Sequence, residues 1–232
     1  MMRINKFLTQ ANYCSRREAD RLIEAGKVRI GTRKAKLGDQ VGPSDMVYIG
    51  RNRIELEEVE KLYLMFNKPV GVICTTDPKA RDNIINAVNS PERVYPVGRL
   101  DVSTSGLILL TNDGDLVNKI LKAENRVEKE YIVEVDRKIT PKFINDLHHG
   151  VNIGGRRKTL PAVVKKINDR NFSITIMEGR KRQVRRMCEV LGYEVTGLVR
   201  VRIGKLELGR LRPGQSKRIA EKKIKHALNI KL

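Results

Sequence analysis

An α+β fold is predicted for this chain: a small αβ domain with its linker over residues 1–60, then a larger domain over 61–232. The larger domain is expected to hold a mixed, mostly antiparallel sheet with flanking helices. Three observations predict it. From Leu62 onward, short apolar, β-prone runs are separated by turn signals such as Asn112-Asp113-Gly114 and Asn168-Asp169-Arg170-Asn171. Only a few helix-period stretches interleave with them, which favours helices covering an antiparallel sheet. A charged stretch without clear periodicity, Arg53–Lys61, reads as a linker between two units.

The amino-terminal elements follow in order. Ile4, Phe7, Leu8 and Ala11 fall on one helical face. Ser15-Arg16-Arg17-Glu18 is a capping-box pattern, in which Ser15 accepts from an orphan amide and Glu18 reaches back to the Ser15 amide. Ala19, Leu22 and Ile23 continue that second helix, and Gly26 suits its exit. Val28 and Ile30 alternate with Lys27 and Arg29, as in a half-exposed strand. Gly38-Asp39 and Pro43-Ser44-Asp45 are turns, and Met46, Val47 and Ile49 close a small β unit. A surface strand at Ile54–Leu56 competes with the linker reading there.

In the larger domain the predicted strands are Leu62–Phe66, Val70–Cys74, Val94–Val97, Leu107–Thr111, Tyr131–Val135, Ala162–Ile167 and Phe172–Met177. Three helices are predicted. Leu116, Ile120 and Leu121 follow the acidic turn Asp113–Asp115. Phe143, Ile144 and Leu147 follow the cap and first-turn proline Thr140-Pro141. Val184, Met187, Cys188 and Leu191 repeat at helical spacing up to Gly192.

Composition bounds the function. The 232 residues include 47 Lys and Arg against 27 Asp and Glu, a net charge of +20. That field attracts phosphate backbones and makes binding salt-dependent. The charge is clustered: residues 3–36 hold ten basic against three acidic side chains, and residues 200–232 hold eleven against two. A generic solubilising surface explains clustering poorly. Cys14, Cys74 and Cys188 are odd in number and lack metal-ligand spacing, so reduced thiols in the cytoplasm are expected. His148, His149 and His226 form no cluster with them, so no metal is expected. No apolar run has membrane-spanning length, and no phosphate-binding glycine motif of the nucleotide cofactors occurs, so neither membrane nor cofactor is expected.

Arg3-Ile4-Asn5-Lys6-Phe7-Leu8, Ser15-Arg16-Arg17-Glu18-Ala19-Asp20 and Gly26-Lys27-Val28 resemble an S4 RNA-binding domain. The family's usual Val-Asn-Gly turn is replaced here by Ile30-Gly31-Thr32, where Gly31 still tolerates positive φ. The resemblance implies RNA contacts from Arg3, Lys6, Ser15, Arg16, Arg17, Lys27 and Arg29.

Asn67-Lys68-Pro69-Val70-Gly71, Gly98-Arg99-Leu100-Asp101 and Ser105-Gly106-Leu107-Ile108-Leu109-Leu110-Thr111-Asn112-Asp113-Gly114-Asp115 stand in the order and spacing of the small-subunit-type bacterial rRNA pseudouridine synthases. The resemblance is close to continuous over Leu62–Leu206. It implies a cofactor-free isomerisation in which uracil is detached, turned and rejoined to the ribose through C5. Asp101, which on its own reads as an ordinary turn residue after a strand, would in this family be the central carboxylate, a nucleophile or a support for charge at the sugar. Arg185, in Gln183-Val184-Arg185, would pair with it and keep it ionised. Tyr131, after Lys129-Glu130, would stack on the flipped uracil; a plain core tyrosine is the alternative. Arg99 would occupy the space a flipped base vacates, with a phosphate contact as the alternative, and Leu198 would lie against the bound base, with a plain core leucine as the alternative. Arg182 and Arg186, with most of the basic run from Arg180, would meet phosphate. Asp113 and Asp115 read as turn and capping acids.

Within that family, Lys119-Ile120-Leu121-Lys122-Ala123, Val127-Glu128-Lys129-Glu130-Tyr131 and Arg81-Asp82-Asn83-Ile84 look most like the F-type enzymes of large-subunit rRNA, with the small-subunit type as alternative. The implied partner is ribosomal RNA, with transfer RNA a further candidate, acted on by a monomer. A rival of another class is a non-catalytic ribosome-associated protein using the S4 domain alone. Asp101, Tyr131 and Arg185 argue against it.

Overall fold

The computed structural model describes residues 1–56, 60–77, 79–121 and 126–228. Residues 57–59 of the expected linker, and Lys122 and Ala123 of the F-type motif, lie outside them. The chain divides into two compact units, Met1–Glu60 and Lys61–Leu232.

In the first unit the strand β1 (Met2–Arg3) leads into helices α1 (Ile4–Gln10) and α2 (Arg16–Glu24). Five short strands follow: β2 (Val28–Ile30), β3 (Arg33–Lys34), β4 (Gln40–Val41), β5 (Val47–Ile49) and β6 (Asn52–Ile54). β1 pairs with β4, and the others form a sheet in the order β3-β2-β5-β6. Ile4, Phe7, Leu8, Ala19 and Ile23 bury against Val28, Ile30, Val47 and Ile49, the stripes the periodicity predicts. Ser15 caps α2, accepting from the Glu18 amide at 3.2 Å. The reciprocal half of the box is replaced: the Glu18 carboxylate takes Arg21 at 3.1 Å. The last strand is Asn52–Ile54, earlier than the Ile54–Leu56 expected, because it pairs with β5 through a tight turn at Gly50.

The second unit carries a nine-stranded sheet. In chain order its elements are β7 (Tyr63–Lys68), α3 (Ile84–Val88), β8 (Tyr95–Pro96), β9 (Ser105–Thr111), α4 (Gly114–Leu121), β10 (Lys129–Val135) and α5 (Pro141–His148). Then come β11 (Val163–Lys166), β12 (Asn171–Ile176), α6 (Gln183–Val190), β13 (Val195–Ile203), β14 (Leu206–Glu207), β15 (Ser216–Arg218) and α7 (Glu221–Leu228). The main order is β11-β12-β10-β13-β9-β7-β15, with β14 beside β13 and β8 beside β9. β13 and β9 run parallel; the other pairings are antiparallel.

The central strands are apolar on both faces because both are covered. On β7 and β9, Leu64, Phe66, Ile108 and Leu110 face a core shared with Val88 of α3, Phe143 of α5 and Met187 of α6. Tyr63, Met65, Leu107 and Leu109 face a second core shared with Leu116 of α4 and Ile224 of α7. The expected strand Val70–Cys74 reduces to a single bridge between Ile73 and Asn83. Gly71 turns the chain at φ +93°, and Val70 is left exposed. Asp113 caps α4, accepting from the Leu116 amide at 3.2 Å while its other oxygen takes the Tyr63 hydroxyl at 2.9 Å.

Candidate active site

A cleft of about 530 Å³ opens in the second unit. Asp101, Arg99, Tyr131 and Leu198 all line it, brought together from the β8–β9 loop, β10 and β13. Arg182 lies at its edge with the segment leading into α6.

The loop holding Asp101 is pinned from several sides. The Leu100 amide donates to Cys74 Sγ at 3.3 Å, and the Gly71 amide to the Val102 carbonyl at 2.9 Å. The Thr104 amide closes a turn on the Asp101 carbonyl at 3.0 Å. Gly98, at φ +77°, lets the chain leave β8 sharply. The half-buried Asp101 carboxylate itself takes no hydrogen bond or ion pair among the described residues. A carboxylate held by its backbone with both oxygens free is ready for a substrate atom.

Arg185 reaches this loop differently from the expectation. It is 7% exposed, and Nη1 and Nη2 donate at 2.9 Å to the carbonyls of Val195 and Ser103. Among the described residues, no hydrogen bond or ion pair joins it to Asp101; its two terminal nitrogens are turned to these backbone carbonyls instead. Burial pushes the Arg185 pKa down, Arg182 adds to that, and the Asp101 charge opposes it, so the two residues act on each other through the field. Lys68, fully buried, donates to the carbonyls of Pro69 and Val72 at 2.9 and 2.8 Å and also feels Asp101.

Tyr131, 8% exposed, stands on β10 directly across from Arg200 of β13. Its hydroxyl has no hydrogen-bond partner among the described residues. Leu198 is buried on the same strand as Arg200.

The basic segment before α6 divides into two kinds of side chain. Arg180 departs from the phosphate expectation. Its Nε pairs with Glu178 at 3.2 Å, and its Nη atoms donate to the carbonyls of Arg157 and Lys158 at 3.0 and 2.8 Å. Gln183, also bonded to Glu178, locks the same turn. Arg186 donates to the Ile153 carbonyl and is half-buried. Lys181 and Arg182 stay exposed, Arg182 in a left-handed conformation at φ +51° just ahead of the helix. In the first unit Arg3, Arg16, Arg17 and Lys27 are exposed. Arg29 donates to the Gly50 carbonyl and covers the Tyr48 ring, and Ser15 is occupied as the α2 cap.

Three residues of the cleft escape the sequence reading: Lys129, Thr104 and Arg200. The period of two from Tyr131 back to Lys129, and from Leu198 on to Arg200, is the available signal. Among the described residues no group of His, Cys, Asp and Glu could hold a metal ion, and no helix is long and apolar enough to cross a membrane.

A mixed sheet cradling one free carboxylate, a tyrosine and a buried arginine defines a class that comparison identifies. Residues 62–190 match the family model for RNA pseudouridylate synthase, and residues 2–47 match the S4 domain. The chain belongs to the RNA pseudouridylate synthase family and carries an amino-terminal S4 domain. It is 49% identical over 215 residues to the dual-specificity RNA pseudouridine synthase RluF of Escherichia coli (strain K12), covering 92% of this chain and 74% of that one. It is 37% identical over 235 residues to ribosomal large subunit pseudouridine synthase B of Bacillus subtilis (strain 168), covering 97% and 95%. A crystal structure of a pseudouridylate synthase superposes with a TM-score of 0.72 at 30% identity, covering 98% of this chain and all of the other.

Proposed function

We propose that this enzyme isomerises uridine to pseudouridine in large-subunit ribosomal RNA, with transfer RNA as a second substrate class. The single observation that carries the catalytic assignment is the Asp101 carboxylate, unpaired and facing a cleft that also holds Tyr131. The 49% identity to a dual-specificity RNA pseudouridine synthase, and the 37% identity to a large-subunit enzyme, support the choice of RNA.

In this reading Asp101 acts at the ribose, either bonding to C1′ or taking the proton from C2′ as the N1–C1′ bond breaks. Both routes need an ionised carboxylate and neither needs a redox partner. Tyr131 stacks on the flipped uracil, and Leu198 packs against it. Arg99, exposed at the cleft, fills the gap left in the RNA stack. Arg185 is a positioning residue for the Asp101 loop. Residues 1–60, through Arg3, Lys6, Arg16, Arg17, Lys27 and Arg29, grip phosphate, as do Arg182 and Arg186 near the cleft. The enzyme works as a monomer in the cytoplasm.

The test is Asp101→Asn, which keeps the shape and removes the charge. Pseudouridine formation on the organism's own 23S rRNA should fall by roughly a hundredfold or more, with RNA binding retained. Activity within about tenfold of wild type would overturn the assignment.

A further inference from the structure

Two cations in the cleft have no assigned role. Lys129 and Arg200 both line it beside Tyr131. Arg200 is 4% exposed; its Nε donates to the Leu107 carbonyl at 2.7 Å, while Nη2 is buried without a partner. Lys129 donates to the Val127 carbonyl at 2.8 Å. Neither has an ion-pair partner among the described residues. By contrast the neighbouring Arg202 is satisfied by Glu128 and Glu130 at 2.9 and 2.7 Å. Buried donors are normally bonded, so an orphaned guanidinium nitrogen in a cleft implies a ligand atom. Of the three orphaned buried atoms among the described residues, Thr104 Oγ1 and Arg200 Nη2 belong to residues of this cleft. The third, Arg185 Nε, belongs to the arginine tied to Ser103 beside Asp101.

We propose that Lys129 and Arg200 form a cationic floor that holds and stabilises the uracil anion released when the N1–C1′ bond breaks. The proposal rests on the cleft of Asp101 being the site of reaction. The bond's electron pair departs with uracil and spreads over N1, O2 and O4, while C1′ is relieved by Asp101 in either route described above. C5 then bonds to C1′ as the Asp101–C1′ bond breaks, or, in the second route, as C2′ takes its proton back from Asp101; the C5 proton leaves and N1 gains one through solvent, so atoms and electrons balance without an oxidant. The anion must turn before it rejoins. Two donors fixed on neighbouring strands hold it without bonding it to one orientation, and a water-excluded cation stabilises developing charge strongly.

Phosphate fits this floor poorly. The walls are the apolar side chains of Val97, Leu109, Ile176, Leu198 and Ile203, and Arg200 is almost wholly buried. A flat base enters such a slot with little desolvation; a phosphodiester meets the exposed Arg99, Lys181 and Arg182 first.

Burial, helped by Arg200, brings the Lys129 pKa down to about 8. Besides Lys129, the titratable groups lining the same cleft are Arg99 and Asp101 of the loop, Tyr131 of its own strand, Arg200 of β13, and Arg180, Lys181 and Arg182 ahead of α6; of these Arg200 acts on its charge. The cation is the working form, so wild-type turnover should decline as pH rises through about 8.

The experiment is single-turnover pseudouridine formation on saturating 23S rRNA transcript across roughly pH 6–9, a range that brackets the ammonium's titration, with RNA affinity measured in parallel. Lys129→Met should slow the step by about tenfold or more at neutral pH and flatten the alkaline decline. Lys129→Arg, charged throughout, should keep most of the rate at high pH. Arg200→Gln, which keeps a donor and drops the charge, should lower the rate similarly at unchanged affinity. Lys129→Met at the wild-type rate overturns the proposal, whether or not the Arg200 variant folds. A defect confined to RNA affinity, with a shallower salt dependence, also overturns it and assigns the pair to phosphate. Full activity in Asp101→Asn is separate: it displaces the reaction site itself.

Discussion

Arg185 binds the carbonyl oxygen of Ser103, 82 positions earlier in the chain, at 2.9 Å, and through it ties α6 to the loop that presents Asp101. The same guanidinium holds the Val195 carbonyl at the start of β13. One buried side chain therefore fixes three segments, and it holds the backbone beside Asp101 rather than the carboxylate itself. Arg185→Lys has one nitrogen where two are needed, in different directions. Turnover should fall by about tenfold or more, and stability by ~1.5–3 kcal/mol for one charged hydrogen bond lost. The KM for RNA should stay within a few fold. Single-turnover rates and urea denaturation measure both, and a lysine variant that matches wild type in each would show the tie is dispensable.

Tyr131→Phe separates stacking from the hydroxyl. The ring is buried in the sheet beside Val133, and the hydroxyl is the part without a protein partner among the described residues. Folding and RNA affinity should be retained while turnover drops. If Tyr131→Phe keeps full turnover and only Tyr131→Ala is impaired, the hydroxyl has no part in chemistry and stacking alone explains the position.

The site residues are legible in the sequence through the family resemblance, while the strand pattern supplies only their places in the fold. Asp101 follows the β-prone Val94–Val97 run and Gly98, and Tyr131 belongs to an alternating strand. β13 is the longest of the strands the pattern does not mark. Val195–Ile203 carries Thr196, Gly197, Arg200 and Arg202, and both arginines find tertiary partners rather than solvent. The two-pronged Asp101–Arg185 pair is the natural expectation because charge complementarity is visible in a sequence. The carbonyls of Ser103 and Val195 that claim the arginine are set by the fold alone.

Gly106 is a fold-determined requirement of the same kind. It sits on β9 at φ +106°, where β9 runs parallel to β13. A Cβ there would lie 2.6 Å from the Arg200 amide nitrogen and closer still to its carbonyl oxygen. Backbone cannot move aside as a side-chain tip can. Gly106→Ala should cost ~1–3 kcal/mol for the backbone conformation alone, with the clash added, and should disturb Arg200. Urea denaturation measures it. A loss within about 0.5 kcal/mol, typical of an ordinary surface substitution, would mean the strands separate easily.

The last prediction concerns the amino-terminal unit, which has its own core around Leu8, Ala19 and Val28 and can be removed as a unit. Arg3, Arg16, Arg17 and Lys27 are exposed on it, unlike Arg180, whose guanidinium is consumed by Glu178 and two backbone carbonyls. Exposed cations of that type position RNA without performing chemistry. Deleting residues 1–60 should weaken binding to 23S rRNA and raise the concentration needed for half-maximal rate, while the rate at saturation persists. Each lost phosphate contact should reduce the dependence of log affinity on log salt by roughly 0.7–0.9. RNA affinity at several salt concentrations, for full-length and truncated protein, decides it. An unchanged slope would make the amino-terminal charge a solvated face and transfer the grip to the basic stretch at residues 200–232, where eleven Lys and Arg stand against two acids.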